Sequence, residues 1–558
     1  VVTKSGQVPL TREEHLEAGH AALKGGDFAS ARKSFEAVMA LGEDPEGRMG
    51  LGATLPWLSD IYGAIAHLEQ AYAAFRRRPE PLLAAVCAAR IAFHQIAHLS
   101  NAAAASGWLS RATRLVEEHG LDPIRGELLL VKGLLADEPE EGERWAREAL
   151  EIGRRSGDHD LELCGLSQLG AVLVAQGRTT EGIALLDEAM AGCLGGEPGN
   201  LETVVFACCH TMVALARCAD FERAMQWVRA AERFVDRYGA PFFHAECRSV
   251  YARVLFGTGD WSRADAAARE AIELARGSVP AFEAGALATL AELWLAKGRL
   301  EEAERLFVGR ETGPEAIPAL ARIQLSRGEP ALAVAIIRRR LNVIGESQLE
   351  SSWLLELLGE AEIAQGEAAI AVERGRTLVE LGLRLGCEVI AARGHRLSGR
   401  ALAETDVLVA SRSLDQALSC FVRLQMPYEA ARTRFLLAQA TCEAQPELAA
   451  RDARAALDAF DSLGAAADAD RTASLLRKLG VKAARVGPKR PGTLTKRERE
   501  VLALLGEGLS NPEIAKRLFV SRKTVEHHVA NVLSKLELTS RAQAAAEAVR
   551  LGEVTARK

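Results

Sequence analysis

Residues Ser521–Leu536 read SRKTVEHHVANVLSKL, and the periodicity of this stretch decides how the chain is read. At about 100° per residue, Val525, Val529, Val532 and Leu536 share one narrow apolar stripe. Lys523, His527, Ala530 and Ser534 fall on the opposite side, with Thr524, His528, Asn531 and Lys535 in a polar stripe between. A helix with one face for a core and a far face without bulk fits a DNA major groove, which is about 12 Å wide and admits one helix.

The flanking residues frame that helix. Thr495-Lys-Arg-Glu498, Ser510-Asn-Pro-Glu513 and Ser540-Arg-Ala-Gln543 are S/T-x-x-E/Q capping boxes, each opening a helix. The first spans about Lys496 to Leu505, with Val501, Leu502 and Leu505 inward, and ends at Gly506 and Gly508. The second spans about Asn511 to Phe519 and buries Ile514, Ala515 and Leu518, while the fourth runs through Val549. Leu509 and Val520 sit ahead of the Ser510 and Ser521 caps, placed to staple onto Ile514 and Val525. Four short helices with a tight turn before the third make a helix-turn-helix domain.

Leu494-Thr495, Arg497-Glu498, Glu500-Val501-Leu502, Gly508, Glu513-Ile514-Ala515, Leu518, Ser521, Thr524-Val525, His528, Asn531 and Lys535-Leu536 together resemble the LuxR-type DNA-binding domain. The resemblance covers Leu494 to about Val549. It implies transcription control, with the third helix in the major groove of double-stranded DNA, the fourth often in a dimer contact, and a homodimer on paired half-sites. Lys523, Glu526, His527 and Ala530 are the expected base-reading positions. Ser521, Arg522, Thr524, Asn531, Lys535 and Arg541 are better placed for phosphates, which fix register without reading sequence. Glu526, His527 and Ala530 occupy positions where the family varies, so no operator follows from the resemblance. His528 has a structural role open to it as a brace, and Thr524 as a cap.

Ahead of this domain the chain repeats itself. Phe28-x-x-Ala31-x-x-x-Phe35 recurs as Ile61/Ala64/Leu68, Phe221/Ala224/Val228, Trp261/Ala264/Ala268 and Leu300/Ala303/Phe307, with weaker copies near Thr179 and Ala368. A Gly- or Asp-containing turn precedes most copies, as in Gly26-Asp27 and Gly259-Asp260. The pattern is similar to the tetratricopeptide repeat, in which a small residue at the crossing lets paired helices approach, although the spacing is looser than about 34 residues. Leu414–Ala440 and Ala450–Ala465 resemble the repeats that precede the DNA-binding domain in large LuxR-type regulators. The ATPase loop such regulators often carry, G-x-x-x-x-G-K-[ST], is absent from the sequence, and Gly50-Leu-Gly52 reads as a turn.

The expected architecture is therefore all-α: a tetratricopeptide-like solenoid over 1–480, a linker over 481–493, and a C-terminal four-helix helix-turn-helix domain over 494–558. The linker VKAARVGPKRPGT carries Lys489 and Arg490, two further candidates for DNA contact. Charge divides the same way. From Pro488 onward there are 14 Lys+Arg against 8 Asp+Glu, a net +6, while the remainder carries −12, so only the end is suited to meet phosphate.

Ten cysteines without a C-x-x-C spacing read as reduced, mostly buried thiols, in keeping with a cytoplasmic, nucleoid-associated protein. The first residues lack the apolar core of a signal peptide, and Val1 in place of Met leaves an upstream segment open. Ile91–Ser110, the nearest approach to a membrane span, is too polar for hydrocarbon. His244-Ala-Glu246 opens like a zinc deaminase motif, yet no P-C-x-x-C follows, and neither H-E-x-x-H nor G-x-S-x-G occurs. No enzyme, metal or cofactor is expected; the repeats are expected to bind a protein or small effector in a concave groove. A sigma-factor-like promoter-binding protein and a pure interaction scaffold are the alternatives.

Overall fold

The structure is a computed structural model describing residues 10–136, 138–239, 241–276, 280–308, 316–346, 349, 351–481, 496–518, 520–536, 538 and 540–550. All regular structure among them is helical. The chain divides into two compact units, Val1–Ala456 and Leu457–Lys558, and the division falls inside helix Pro446–Leu463. The linker expected at 481–493 lies, beyond Val481, outside the described residues.

The first unit is a tetratricopeptide-like solenoid. Every full copy of the repeat motif opens a helix at its first residue: Phe28–Leu41, Ile61–Arg77, Phe221–Tyr238, Trp261–Ala275 and Leu300–Arg305. An aspartate just ahead often caps the new helix, with Asp27, Asp60, Asp220 and Asp260 accepting from the backbone N–H three residues on. Gly259 supplies the left-handed φ of 93° that reverses the chain before Asp260. Ala31, Ala64, Ala224, Ala264 and Ala303 are fully buried at the helix crossings.

The same pattern, a helix-opening residue with Ala or Gly three later and an apolar residue four beyond that, also runs through helices the sequence reading passed over. Ala105 and Leu109 carry it in Ala102–His119, Ala333 and Ile337 in Pro330–Ile344, and Ala410 and Leu414 in Val407–Arg423, all of them buried. Only the small residue is strict, because it alone sits where two backbones meet.

In Thr179–Gly195 glycine takes the alanine position. A Cβ on Gly182 would stand 2.5 Å from Gly170 O and 2.8 Å from Val174 N, both backbone atoms of helix His159–Ala175. Gly182→Leu is therefore expected to cost at least about 1–3 kcal/mol, because the crossing has to open. Urea unfolding followed by circular dichroism reads this directly, and a cost within about 0.5 kcal/mol of zero, the range of an ordinary surface substitution, would show that the crossing opens freely.

From Arg12–Gly25 to Pro427–Thr441 the helices pack on their neighbours in sequence, and many alternate helices also pack on one another. Helices His159–Ala175, Leu201–Cys218, Pro241–Thr258 and Pro280–Ala296 form one such continuous layer. This unit winds back on itself. Arg90 pairs with Glu202 at 2.5 Å, Thr179 Oγ1 donates to Leu385 O at 2.6 Å, and Tyr428 packs edge-on against Trp261. Gly50 and Gly52 correct the turn reading: both lie within helix Pro45–Thr54, pressed against Phe35 and Leu68. Leu201–Cys218, not Ile91–Ser110, is the described helix long and apolar enough to cross a membrane, and it is packed within the solenoid layer.

Three alternate helices are joined by buried charge. Glu356 on Ser351–Ala364 accepts from Arg393 at 3.1 Å and Arg396 at 2.5 Å, both on Glu388–Leu402. Arg396 also reaches Glu429, and Arg432 reaches Glu360 at 2.9 Å, the second member of each pair bringing in helix Pro427–Thr441 or Ser351–Ala364. The Arg393 guanidinium carbon lies 3.4 Å from the centroid of the Trp353 ring.

Candidate nucleic-acid interface

Within the second unit, after the end of Pro446–Leu463 and helix Ala466–Lys478, four helices follow among the described residues: Lys496–Gly506, Asn511–Leu518, Arg522–Lys535 and Arg541–Arg550. The bounds agree with the sequence reading to within a residue or so, because caps fix the starts. Ser521 Oγ accepts from Thr524 N at 3.1 Å and Ser540 Oγ from Gln543 N at 3.2 Å. At Ser510 the box is built from the other side: the Glu513 carboxylate reaches back to Ser510 N at 2.7 Å and Oγ at 2.6 Å. These two bonds hold the exposed Glu513 carboxyl below its ordinary value. Thr495 lies outside the described residues.

One apolar core gathers Val501, Leu502, Leu504, Leu505, Ile514, Ala515, Val525, Val529, Val532, Ala544 and Ala548. Leu509, Leu518, Val520 and Leu536 pack against it, so the stripe and both staples fall where the periodicity places them. Lys496–Gly506 packs on the third and fourth helices, and Asn511–Leu518 packs on the third.

The far side of Arg522–Lys535 faces solvent. Lys523, Glu526 and Ala530 are exposed, and Thr524, His528 and Asn531 are partly buried along the flank. Ser521 is exposed and shares a 2.7 Å hydroxyl bond with Thr524. Arg522 pairs with Glu526 at 2.8 Å across one turn of exposed helix. Such a pair is worth only about 0.3–0.5 kcal/mol, so a phosphate can take the guanidinium from it. Lys489 and Arg490 lie outside the described residues, as do the side chains of His527 and Lys535.

Arg541, expected on phosphate, has internal partners. Its guanidinium donates to Asn511 Oδ1 at 2.8 Å and to Leu509 O. Arg497, which carries no role in the sequence pattern beyond family likeness, donates to Leu518 O at 2.5 Å and pairs with Glu500 at 2.7 Å. These two arginines grip helix Asn511–Leu518 at its two ends. They fix its angle, and through the turn at Val520 that of the exposed helix. Among the described residues no group of three or more His, Cys, Asp or Glu is arranged to hold a metal ion. His244 lies in an ion-pair cluster, accepting from Arg248 Nε at 3.0 Å.

Residues 492–548 match the family described as bacterial regulatory proteins, luxR family. The spore germination protein GerE of Bacillus subtilis is 49% identical over 61 residues, which are 11% of this chain and 82% of that protein. The transcriptional regulatory protein LnrK of the same organism is 54% identical over 59 residues, 11% of this chain and 27% of that one. An HTH-type transcriptional regulator of Mycobacterium bovis is 54% identical over 68 residues, 12% of this chain, and the chain spans only 8% of its length. Among solved structures, the APC/C hetero-tetramer Cut9-Hcn1 aligns at a TM-score of 0.36 and 14% identity, over 84% of this chain and 96% of that chain. The capped four-helix unit and a likeness running through most of GerE lead to one conclusion: the chain belongs to the LuxR family of bacterial regulatory proteins.

Proposed function

We propose that the chain regulates transcription by laying Arg522–Lys535 in the major groove of duplex DNA. The observation that carries this is the division of that helix, with Val525, Val529 and Val532 locked in a core while Lys523, Glu526 and Ala530 are exposed to solvent. Lys523, His527 and Ala530 come nearest the base edges, and Glu526, to one side, accepts from a cytosine amino group. Ser521, Arg522, Thr524, Asn531 and Lys535 hold phosphates, with Lys489 and Arg490 of the linker adding to them.

In the same reading the protein binds paired half-sites as a homodimer, in the cytoplasm at the nucleoid. The solenoid, residues 1–480, takes a protein or small effector whose binding alters dimerisation or release of residues 494–558. The net charge of +6 after Pro488 supports the electrostatic half of the proposal.

Salt titration of the full chain on a duplex tests it. With four to six phosphates neutralised, log K is expected to fall against log salt with a slope of about −4 to −5. Absence of any duplex affinity at low ionic strength would overturn the reading.

A further inference from the structure

Two cysteines far apart in the chain meet where turns of the solenoid touch. Cys387 Sγ lies 4.0 Å from the carbonyl oxygen of Cys218, 169 residues earlier. That contact makes the two cysteines neighbours across the seam, side chain against backbone. The turn carrying Cys387 is held in place, since Leu385 O accepts from Thr179 Oγ1 at 2.6 Å and Leu385 packs on Gly177. Cys387 is also the N-cap residue of helix Glu388–Leu402, whose positive end favours a thiolate. It helps line an open groove of about 930 Å³, together with His395, Arg412 and Cys420, and Leu383 and Leu408 stand exposed at the rim.

We propose that Cys218 and Cys387 are a paired thiol site for hydroperoxides, which oxidise them to a disulfide that joins two turns of the solenoid. Cys387 attacks and Cys218 resolves. The adjoining Cys218 side chain draws the Cys387 thiol below its ordinary value against the opposing effect of burial, with Arg393 assisting. The Cys218 thiol is pushed up by its neighbour Cys387 and by burial, which suits it to the resolving step. The other buried thiols are inert by comparison. Burial drives Cys87 and Cys193 up to about 12, and Cys164, Cys208, Cys209 and Cys247 well above the ordinary value.

The chemistry balances. The Cys387 thiolate attacks one peroxide oxygen, the O–O bond breaks, and the leaving alkoxide takes a proton, giving an alcohol and a Cys387 sulfenic acid. Cys218 sulfur then attacks the Cys387 sulfur, the S–O bond breaks, and hydroxide leaves with the Cys218 proton as water. Two thiols are oxidised by two electrons in all, and one hydroperoxide is reduced.

The test treats the reduced full chain with one equivalent of hydrogen peroxide, blocks remaining thiols by alkylation, and maps peptides without reduction. The expected product is a linked pair of peptides holding Cys218 and Cys387, separated by reductant. In Cys218→Ser the link is absent and Cys387 is trapped by dimedone as its sulfenic acid. In Cys387→Ser the loss of Cys218 thiol slows by about tenfold or more, because the remaining thiol lacks the thiolate character that sets reactivity. First oxidation at another cysteine, a Cys387–Cys420 link, or Cys387 sulfinic acid formed in the unsubstituted chain without linkage would each overturn the proposal. The map of the unsubstituted chain decides the matter even where a serine variant folds poorly.

Discussion

Glu356→Ala is expected to destabilise the solenoid by about 3–5 kcal/mol, the cost of leaving buried positive charge without its partner. Glu356 is 2% exposed, and Arg393 and Arg396, which converge on it, are 5% and 3% exposed. Removing the carboxylate strands two guanidinium groups where water cannot reach them. Glu429 still contacts Arg396, but Arg393 keeps only the face of Trp353 as a described direct contact.

The double variant Glu356→Leu with Arg396→Met is expected to cost less than the sum of the two single changes. An apolar pair of similar volume leaves fewer stranded charges, although Arg393 and Glu429 then each lose a partner. Urea unfolding of the three variants measures this coupling. A loss below about 1 kcal/mol for Glu356→Ala, the scale of an exposed pair, would mean that the network is solvated and loosely held.

The same network gives the stability a sign in pH. Burial would raise the Glu360 carboxyl, yet Arg432, Arg322, Arg400 and Arg396 together bring it from 4.5 down to about 2. Glu429 is likewise held well below the carboxylate range, burial opposing and Arg396 and Arg432 prevailing. A carboxyl depressed on folding stabilises the protein above its unfolded value. That stability is lost as the pH falls through the folded one. The urea midpoint is therefore expected to hold steady down to about pH 5 and to fall between about 4.5 and 2.

Why these charges were illegible while the DNA-binding unit was not comes down to the distance between partners along the chain. The stripe of Val525, Val529 and Val532 and the caps at Ser510, Ser521 and Ser540 are local, complete within a few residues, and the structure keeps them. The repeats are legible where the opening residue is large, as at Phe28 and Trp261, and faint at Ala102 and Pro330, where the opening residue is small or a proline. Glu356 did leave a local signal, a carboxylate flanked by Leu354, Leu355, Leu357 and Leu358, which are all buried. Its partners 37 and 40 residues away did not. Arg541 reads as a phosphate contact because it opens a helix in a basic tail, and nothing beside it announces its internal partner Asn511, 30 residues earlier.

Replacing Lys523 and His527 together by alanine is expected to remove most of the preference for the operator over random duplex. Each base-reading contact is worth about 1–3 kcal/mol, so the pair should cost roughly 10²- to 10⁴-fold at the operator. Affinity for unrelated DNA falls much less, since phosphate contacts supply nearly all of it. The four-helix unit stays folded, because Lys523 is exposed and both positions fall, by helical periodicity, opposite the stripe of Val525, Val529 and Val532. Arg541→Ala supplies the contrast. An internal brace, bonded to Asn511 and Leu509, lowers the unfolding midpoint when removed; a phosphate contact instead reduces the salt slope by about 0.9. Competition titrations with operator and scrambled duplex, beside thermal unfolding of each variant, separate these effects. Unchanged operator preference in the double variant would take the reading of bases away from the exposed face of Arg522–Lys535. The helix would then be left with a purely electrostatic part in binding.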